Sequence, residues 1–317
     1  MQRTAFVIVS VLAIALTAFA SSASAAGVET PVVGGTVVEP GAFPDVVAVL
    51  GADGSLCSGT LLTADLVLTA GHCIEGEPIE VIIGSVDLSR PDGDRRRVQW
   101  SKAYPQWQDT YDVGVVMLEH PVFAKPRPVA QSCGARDRFK VGLPLQLVGF
   151  GLTTKAGTGD NTRLHRAVLP LVDPTCAMDP SCMPAVAPGG EFIAGGRGTD
   201  ACFGDSGGPV YIETGKGLAL IGVVSRGLVS WTEPCSSGGV YVRADKVVAW
   251  IERVSGRKLE RAACDRPGDE GGVADDGGCN AGGAMESGFA VYYALLVFAG
   301  LRMSRRRRAA GASTAGG

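Results

Sequence analysis

Leu66-Val67-Leu68-Thr69-Ala70-Gly71-His72-Cys73 carries a short apolar run into a histidine. Far downstream, Gly204-Asp205-Ser206-Gly207-Gly208-Pro209 carries a serine into a second run, Val210-Tyr211-Ile212. Both runs read as strands, because Gly and Pro punctuate stretches too short for helices. A serine hydroxyl is a weak nucleophile at neutral pH. It needs an imidazole to take its proton and a third group to hold that imidazole in one tautomer. Tyr111-Asp112-Val113-Gly114-Val115-Val116-Met117-Leu118 supplies an aspartate at the mouth of another apolar run. Gly204 and Ser206 are spaced to turn two backbone N–H groups towards one point, where negative charge on a carbonyl oxygen is stabilised. Gly207, Gly208 and Pro209 read as a constrained turn.

The same texture continues outward. Apolar runs at 46–50, 60–62, 66–69, 81–83, 113–118, 144–150, 167–172, 210–212, 218–226 and 240–242 are separated by Gly, Pro and Asp, which argues for an all-β chain of barrels or sandwiches. Only Ala244 to Val254 has helical spacing, with Val247, Val248 and Ile251 on one face. The order His72, Asp112, Ser206, with the motifs around each, resembles the trypsin-like, chymotrypsin-fold serine endopeptidases. That resemblance implies two six-stranded antiparallel β-barrels with the site in their cleft and a C-terminal helix. The domain would span residues 32–255, with the barrel boundary near 130–140. Its length, about 225 residues, suffices for two small cores.

The resemblance assigns further roles. Ser206 attacks, His72 shuttles the proton, Asp112 orients it, and Gly204 with Ser206 forms the oxyanion hole. The base of the primary specificity pocket falls on Asp200, six residues before the serine. A carboxylate in a narrow slot favours an arriving guanidinium or ammonium, so cleavage after Arg or Lys is expected. Ala201 stands where many trypsins carry a hydroxyl, which favours Arg over Lys, and Gly227 and Gly239 match the pocket walls. Ser225-Arg226-Gly227 replaces the family's Ser-Trp-Gly. The expectation there is a positive charge in the outer subsites and tolerance of acidic residues, with Trp231 a candidate for the missing ring. Asp205 must find a partner if buried. In the family that partner is a new α-amino group, and Val32-Val33-Gly34-Gly35 looks like the N-terminus that bears it. The alternative is a solvated surface aspartate. Residues 26–31 would be a propeptide cut after Pro31, where the family usually has Arg or Lys, so an activating peptidase of other specificity is expected.

Residues 1–25 read as a secretory signal: Arg3, an apolar stretch, then Ala23-Ser24-Ala25. Export permits disulfides. Cys57–Cys73 and Cys202–Cys235 match the family. Cys176–Cys182 is a local pairing, although the family's usual second position holds Ile193. Cys133–Cys264 is a geometric guess that leaves Cys279 alone. Residues 256–288 form a linker, rich in Gly, Asp and Ala from 265 onward. An apolar segment from 289 and Arg305-Arg306-Arg307-Arg308 close the hydrophobic tail at 289–308. With Gly277-Gly278-Cys279 ahead of it, the tail resembles the Myxo-CTERM sorting tails of Gram-negative bacteria. It implies export machinery and cell-surface display, with plain membrane retention facing the periplasm as the alternative.

His120 and His165 have no ligand-spaced partner, and no zinc motif is present. The loop Ser85-Val86-Asp87-Leu88-Ser89-Arg90 lacks the family's glutamates for calcium. No cofactor is therefore expected. The net charge of −3 shows no basic face beyond the tail and gives no sign of nucleic-acid binding. Protein or peptide substrates and a monomer are expected. The competing class is a catalytically inactive, protease-fold surface binding protein.

Overall fold

The computed structural model describes residues 31–131, 138–228 and 233–262. The first barrel closes in the order β2 (Val46–Gly51), β3 (Leu56–Thr63), β4 (Leu66–Thr69), β7 (Gly114–Leu118), β6 (Asp94–Ala103) and β5 (Pro78–Ile83). The second closes through β8 (Pro144–Gly149), β9 (His165–Asp173), β10 (Glu191–Ala194), β13 (Gly239–Arg243), β12 (Gly217–Gly227) and β11 (Pro209–Thr214). A two-residue strand β1 (Thr36–Val37) adds to β9. All pairings between the named strands are antiparallel. Two closed six-stranded barrels and a C-terminal helix are the architecture that the resemblance implies; the spacing alone implies only an all-β chain of barrels or sandwiches.

The apolar runs are continuous rather than alternating because both faces of these strands are covered. Val47 and Val49 of β2, Val67 of β4, and Val116 and Leu118 of β7 fill the first barrel. Their neighbours Val46, Ala48, Leu66, Leu68, Val115 and Met117 join a second cluster with Phe150, Tyr211, Trp250 and Ile251. The period of two thus sorts one strand into two cores. The second barrel is filled by Leu145, Leu147, Leu169, Leu171, Phe192, Val210, Ile221 and Tyr241. Helix Ala244–Ser255 buries Val247, Val248, Trp250 and Ile251, and Gly256 ends it in the left-handed conformation with its N–H on the Glu252 carbonyl.

Two strands escape the hydrophobic pattern. Asp94-Arg95-Arg96-Arg97 opens β6 as an exposed, charged edge that pairs with β5, where Arg95 forks onto Glu80 at 2.8–3.0 Å. β10 has only four residues and begins with the buried Glu191.

Strand register places the site. Thr69 lies opposite Gly114 where β4 meets β7. The chain leaving β4 towards His72 and the chain entering β7 from Asp112 therefore emerge at the same end of the first barrel.

Candidate active site

His72 begins a single 3-10 turn, His72–Ile74, just past β4. The Cys57–Cys73 disulfide ties that turn back to β3. Asp112 grips the histidine twice: Oδ1 accepts the His72 backbone N–H at 2.9 Å, and Oδ2 lies 2.9 Å from Nδ1. The Ser225 hydroxyl donates to the same Oδ2 at 2.7 Å. Asp112 is buried, 4% exposed. Burial opposes its ionisation, but the hydrogen bonds and charge of His72, with the Ser225 hydroxyl, outweigh it and hold the carboxyl below its ordinary range. The Trp107 ring stands beside the imidazole, 6.1 Å between centroids.

Ser206 arrives from the second barrel. Its carbonyl accepts the Ser58 N–H at 2.9 Å, and the Ser58 hydroxyl donates to the Gly204 carbonyl at 2.8 Å while accepting the Phe150 N–H at 3.0 Å. Gly207 (φ 78°) follows, and a Cβ there would fall 2.0 Å from Thr69 Oγ1 and 2.6 Å from the Ala70 nitrogen. Only a glycine brings the serine loop this close to the histidine loop. Gly204 has φ 100°, and a Cβ on it would meet the Phe150 carbonyl at 2.8 Å. Among the described residues, the N–H groups of Gly204 and Ser206 donate to no acceptor. They remain available for an incoming oxyanion. The Ser206 hydroxyl is likewise without a hydrogen bond among the described residues.

Asp200 is buried, with Oδ2 accepting the Gly238 N–H at 2.7 Å and Oδ1 the Ala201 N–H at 2.8 Å. Burial outweighs both bonds and raises its carboxyl to about 6. Gly227 and Gly239 face each other directly across β12 and β13, one residue from that Gly238 contact. The Cys202–Cys235 disulfide braces the same region. The Tyr241 hydroxyl is buried without a hydrogen-bond partner among the described residues and lies 3.2 Å from where a Cβ on Gly239 would stand.

Asp205 is wholly buried, which settles the surface alternative against it. Its oxygens accept the N–H groups of Cys202 (2.9 Å) and Gly151 (2.8 Å), and burial raises its carboxyl to about 7. Val32 is also fully buried, in the core of the second barrel, and its φ of 40° is unusual for a β-branched residue. The Val33 carbonyl accepts the Asp200 N–H at 3.0 Å, so Val32-Val33 already lies against the segment that carries Asp200.

Arg226 carries the positive charge that the sequence puts there, and it is paired within the fold. Its guanidinium forks onto Glu191, with both oxygens at 2.9 Å, and Glu191 is 1% exposed. Glu191 was invisible to the sequence argument; its only signal is a carboxylate opening a four-residue apolar strand. The Cys176–Cys182 disulfide is present, and Ile193 packs against it. His165 is a buried strand histidine, its ring lowered to about 4 by burial, and His120 is exposed. Trp231, the Cys133–Cys264 pair, Cys279 and residues 263–317 lie outside the described residues, as do 1–30. Among the described residues no helix is long and apolar enough to cross a membrane.

The chain is similar to bovine coagulation factor XII, 31% identical over 243 residues, covering 69% of this chain and 39% of that protein. Pig coagulation factor XII is 30% identical over 246 residues, covering 70% and 39%. Bovine chymotrypsin-like elastase family member 1 is 28% identical over 245 residues, covering 69% and 88%. The chain thus spans about two-fifths of the factor XII relatives and most of the elastase. The three disulfides among the described residues and such relatives suggest a secreted protein. The trypsin profile matches residues 32–251, both barrels and most of the helix, and the chain belongs to the trypsin family.

Proposed function

We propose that this chain is a serine endopeptidase that cuts after Arg or Lys through an acyl-enzyme. The observation that carries the reading is the double grip of Asp112 on His72, at the backbone N–H and at Nδ1. That grip fixes the tautomer with Nε2 free to accept a proton. Ser206 Oγ attacks the scissile carbonyl as its proton passes to Nε2, a contact that tightens when substrate binds. The tetrahedral oxyanion takes the N–H groups of Gly204 and Ser206. Collapse breaks the C–N bond, and the imidazolium returns its proton to the leaving amine. A water, deprotonated by the same nitrogen, then attacks the acyl ester and frees Ser206.

Asp200 supports selectivity for a cationic side chain. It is a buried carboxylate with two backbone donors among the described residues, so its desolvation is best offset by a cation. Family membership alone leaves this open, since an elastase is among the relatives. The protein is made as a precursor in which cleavage after Pro31 frees Val32 to pair with Asp205. It is exported by its N-terminal signal and tethered at the cell surface by the tail at 289–308. Protein beginning at Val32 should label at Ser206 with a serine-directed phosphonate and release products ending in Arg or Lys from a peptide library. Absence of labelling would favour a non-catalytic binding protein, and an intact Arg305 to Arg308 in the mature C-terminus would rule out tail processing.

A further inference from the structure

Arg226 stands one hydroxyl away from Asp112. Between Val224 and Arg226 the pairing of β12 with β13 shifts, Val224 facing Tyr241 and Arg226 facing Val240, so that Ser225 is the extra residue of a bulge. A bulge re-aims one side chain. Here it turns Ser225 to Asp112 Oδ2 at 2.7 Å. The same hydroxyl oxygen accepts Arg226 Nη1 at 2.9 Å. A carboxylate only accepts and a guanidinium only donates, so the single Ser225 proton has one destination.

The guanidinium is held firmly enough to act in this way. Nε and Nη2 donate to the Ser181 carbonyl at 2.9 and 2.6 Å, and Nη1 and Nη2 donate to Glu191 at 2.9 Å each. With the bond to Ser225, all five of its N–H groups are engaged. Glu191 Oε2 also accepts the Met183 N–H at 2.8 Å. A fork of this kind fixes the guanidinium plane as well as its charge.

We propose that the Glu191–Arg226 ion pair is a positioning device for the His72–Asp112 couple, committing the Ser225 proton to Asp112 and so steadying the carboxylate that orients the imidazole. The proposal rests on the peptidase reading above. Arg226 is a positioning residue whose charge is balanced inside the fold. The loop from Cys176 to Met183 belongs to the device, because Ser181 and Met183 hold its two partners.

The test compares enzyme beginning at Val32 with Arg226→Met/Glu191→Leu, which replaces the pair by apolar side chains and leaves no lone buried charge. Turnover is counted per phosphonate-labelled site. The double variant is expected to lose roughly tenfold in kcat, the scale of one hydrogen bond to a charged group. KM for a short arginyl substrate should change less than about twofold. In a Ser225→Ala background the same replacement should cost nothing further, because its route to Asp112 is gone. Glu191→Gln keeps the shape and leaves the cation uncompensated, so the acid limb of its kcat/KM profile should move to lower pH; this variant decides the matter if the apolar pair fails to fold. Unchanged kcat in the apolar variant, an unmoved acid limb in Glu191→Gln, or full additivity with Ser225→Ala overturns the proposal and leaves the peptidase reading standing. Failure of the unsubstituted enzyme to label removes that reading and this role together.

Discussion

The Ser58 N–H donates to the Ser206 carbonyl at 2.9 Å, so the serine loop of the second barrel hangs from a strand of the first. With His72 and Asp112 on the first barrel and Ser206 and Ser225 on the second, the site exists only while the barrels hold their relative position. Ser58 serves that purpose twice, through its N–H and through its hydroxyl on Gly204.

Ser58→Ala should therefore lower both stability and turnover. The change leaves the Gly204 carbonyl and the buried Phe150 N–H without the hydroxyl that joins them. Each orphaned group costs about 1–3 kcal/mol, and the displaced Gly204 should lower kcat more than it raises KM. Thermal unfolding and steady-state kinetics check this. An unchanged kcat in a folded variant would remove Ser58 from the site.

A second tie between the barrels is buried at Asp45. It accepts Thr60 Oγ1 at 3.1 Å, Tyr211 Oη at 2.6 Å and a fork from Arg127 at 2.7 and 3.2 Å. Asp45→Ala leaves the Arg127 charge unpaired and should cost on the order of 3–5 kcal/mol. Tyr211→Phe removes one bond to a carboxylate and should cost about 1.5–3 kcal/mol. Denaturant titration distinguishes them. A loss under 1 kcal/mol for Asp45→Ala would show that the network is solvated in solution.

The two barrel cores and the contact of His72 with Asp112 were legible because each lies in a short motif or an apolar run. What escaped was long-range pairing of charge. The sequence shows the Arg226 charge but not its partner, because Glu191 lies 35 residues away on β10, separated from β12 by β13. β6 escaped because its opening residues Asp94 to Arg97 are all charged, with Arg95 on Glu80 of β5 and Arg96 on Asp94, so no apolar alternation marks where the strand begins. Ser58 carries no motif at all, and only the barrel contact reveals it.

If Asp200 is the base of the specificity pocket, as proposed, it sets a pH dependence for cation binding. Burial raises its carboxyl to about 6, and an amidinium binds the ionised form. Affinity for benzamidine should be level above that pH and fall by up to about tenfold per unit below it. Asp200→Asn should weaken binding roughly 10- to 100-fold and abolish the dependence. Calorimetry from pH 5 to 8 reads both, and a flat wild-type profile would place the carboxylate elsewhere than at the base of the pocket.

Asp205 sets the opposite problem for the uncleaved chain. Its carboxyl is raised from 3.8 to about 7 by burial, so between those values the folded chain keeps a proton that the unfolded chain has released. The unfolded state then binds fewer protons, and stability falls as pH rises through that window. Asp200, also raised, adds to the slope from 3.8 to about 6, whereas His165, lowered from 6.5 to about 4, opposes it over nearly the same range, so Asp205 sets the net decline. Cleavage after Pro31 would supply an ammonium that pairs with Asp205, favours its ionised form and removes the penalty. The melting temperature of protein extended through Pro31 should therefore decline from pH 4 to 7, and Asp205→Asn should reduce that decline. Protein beginning at Val32 should lack most of it. Equal slopes for the two N-termini would mean that Val32 does not deliver its amino group to Asp205, and activation would need another route.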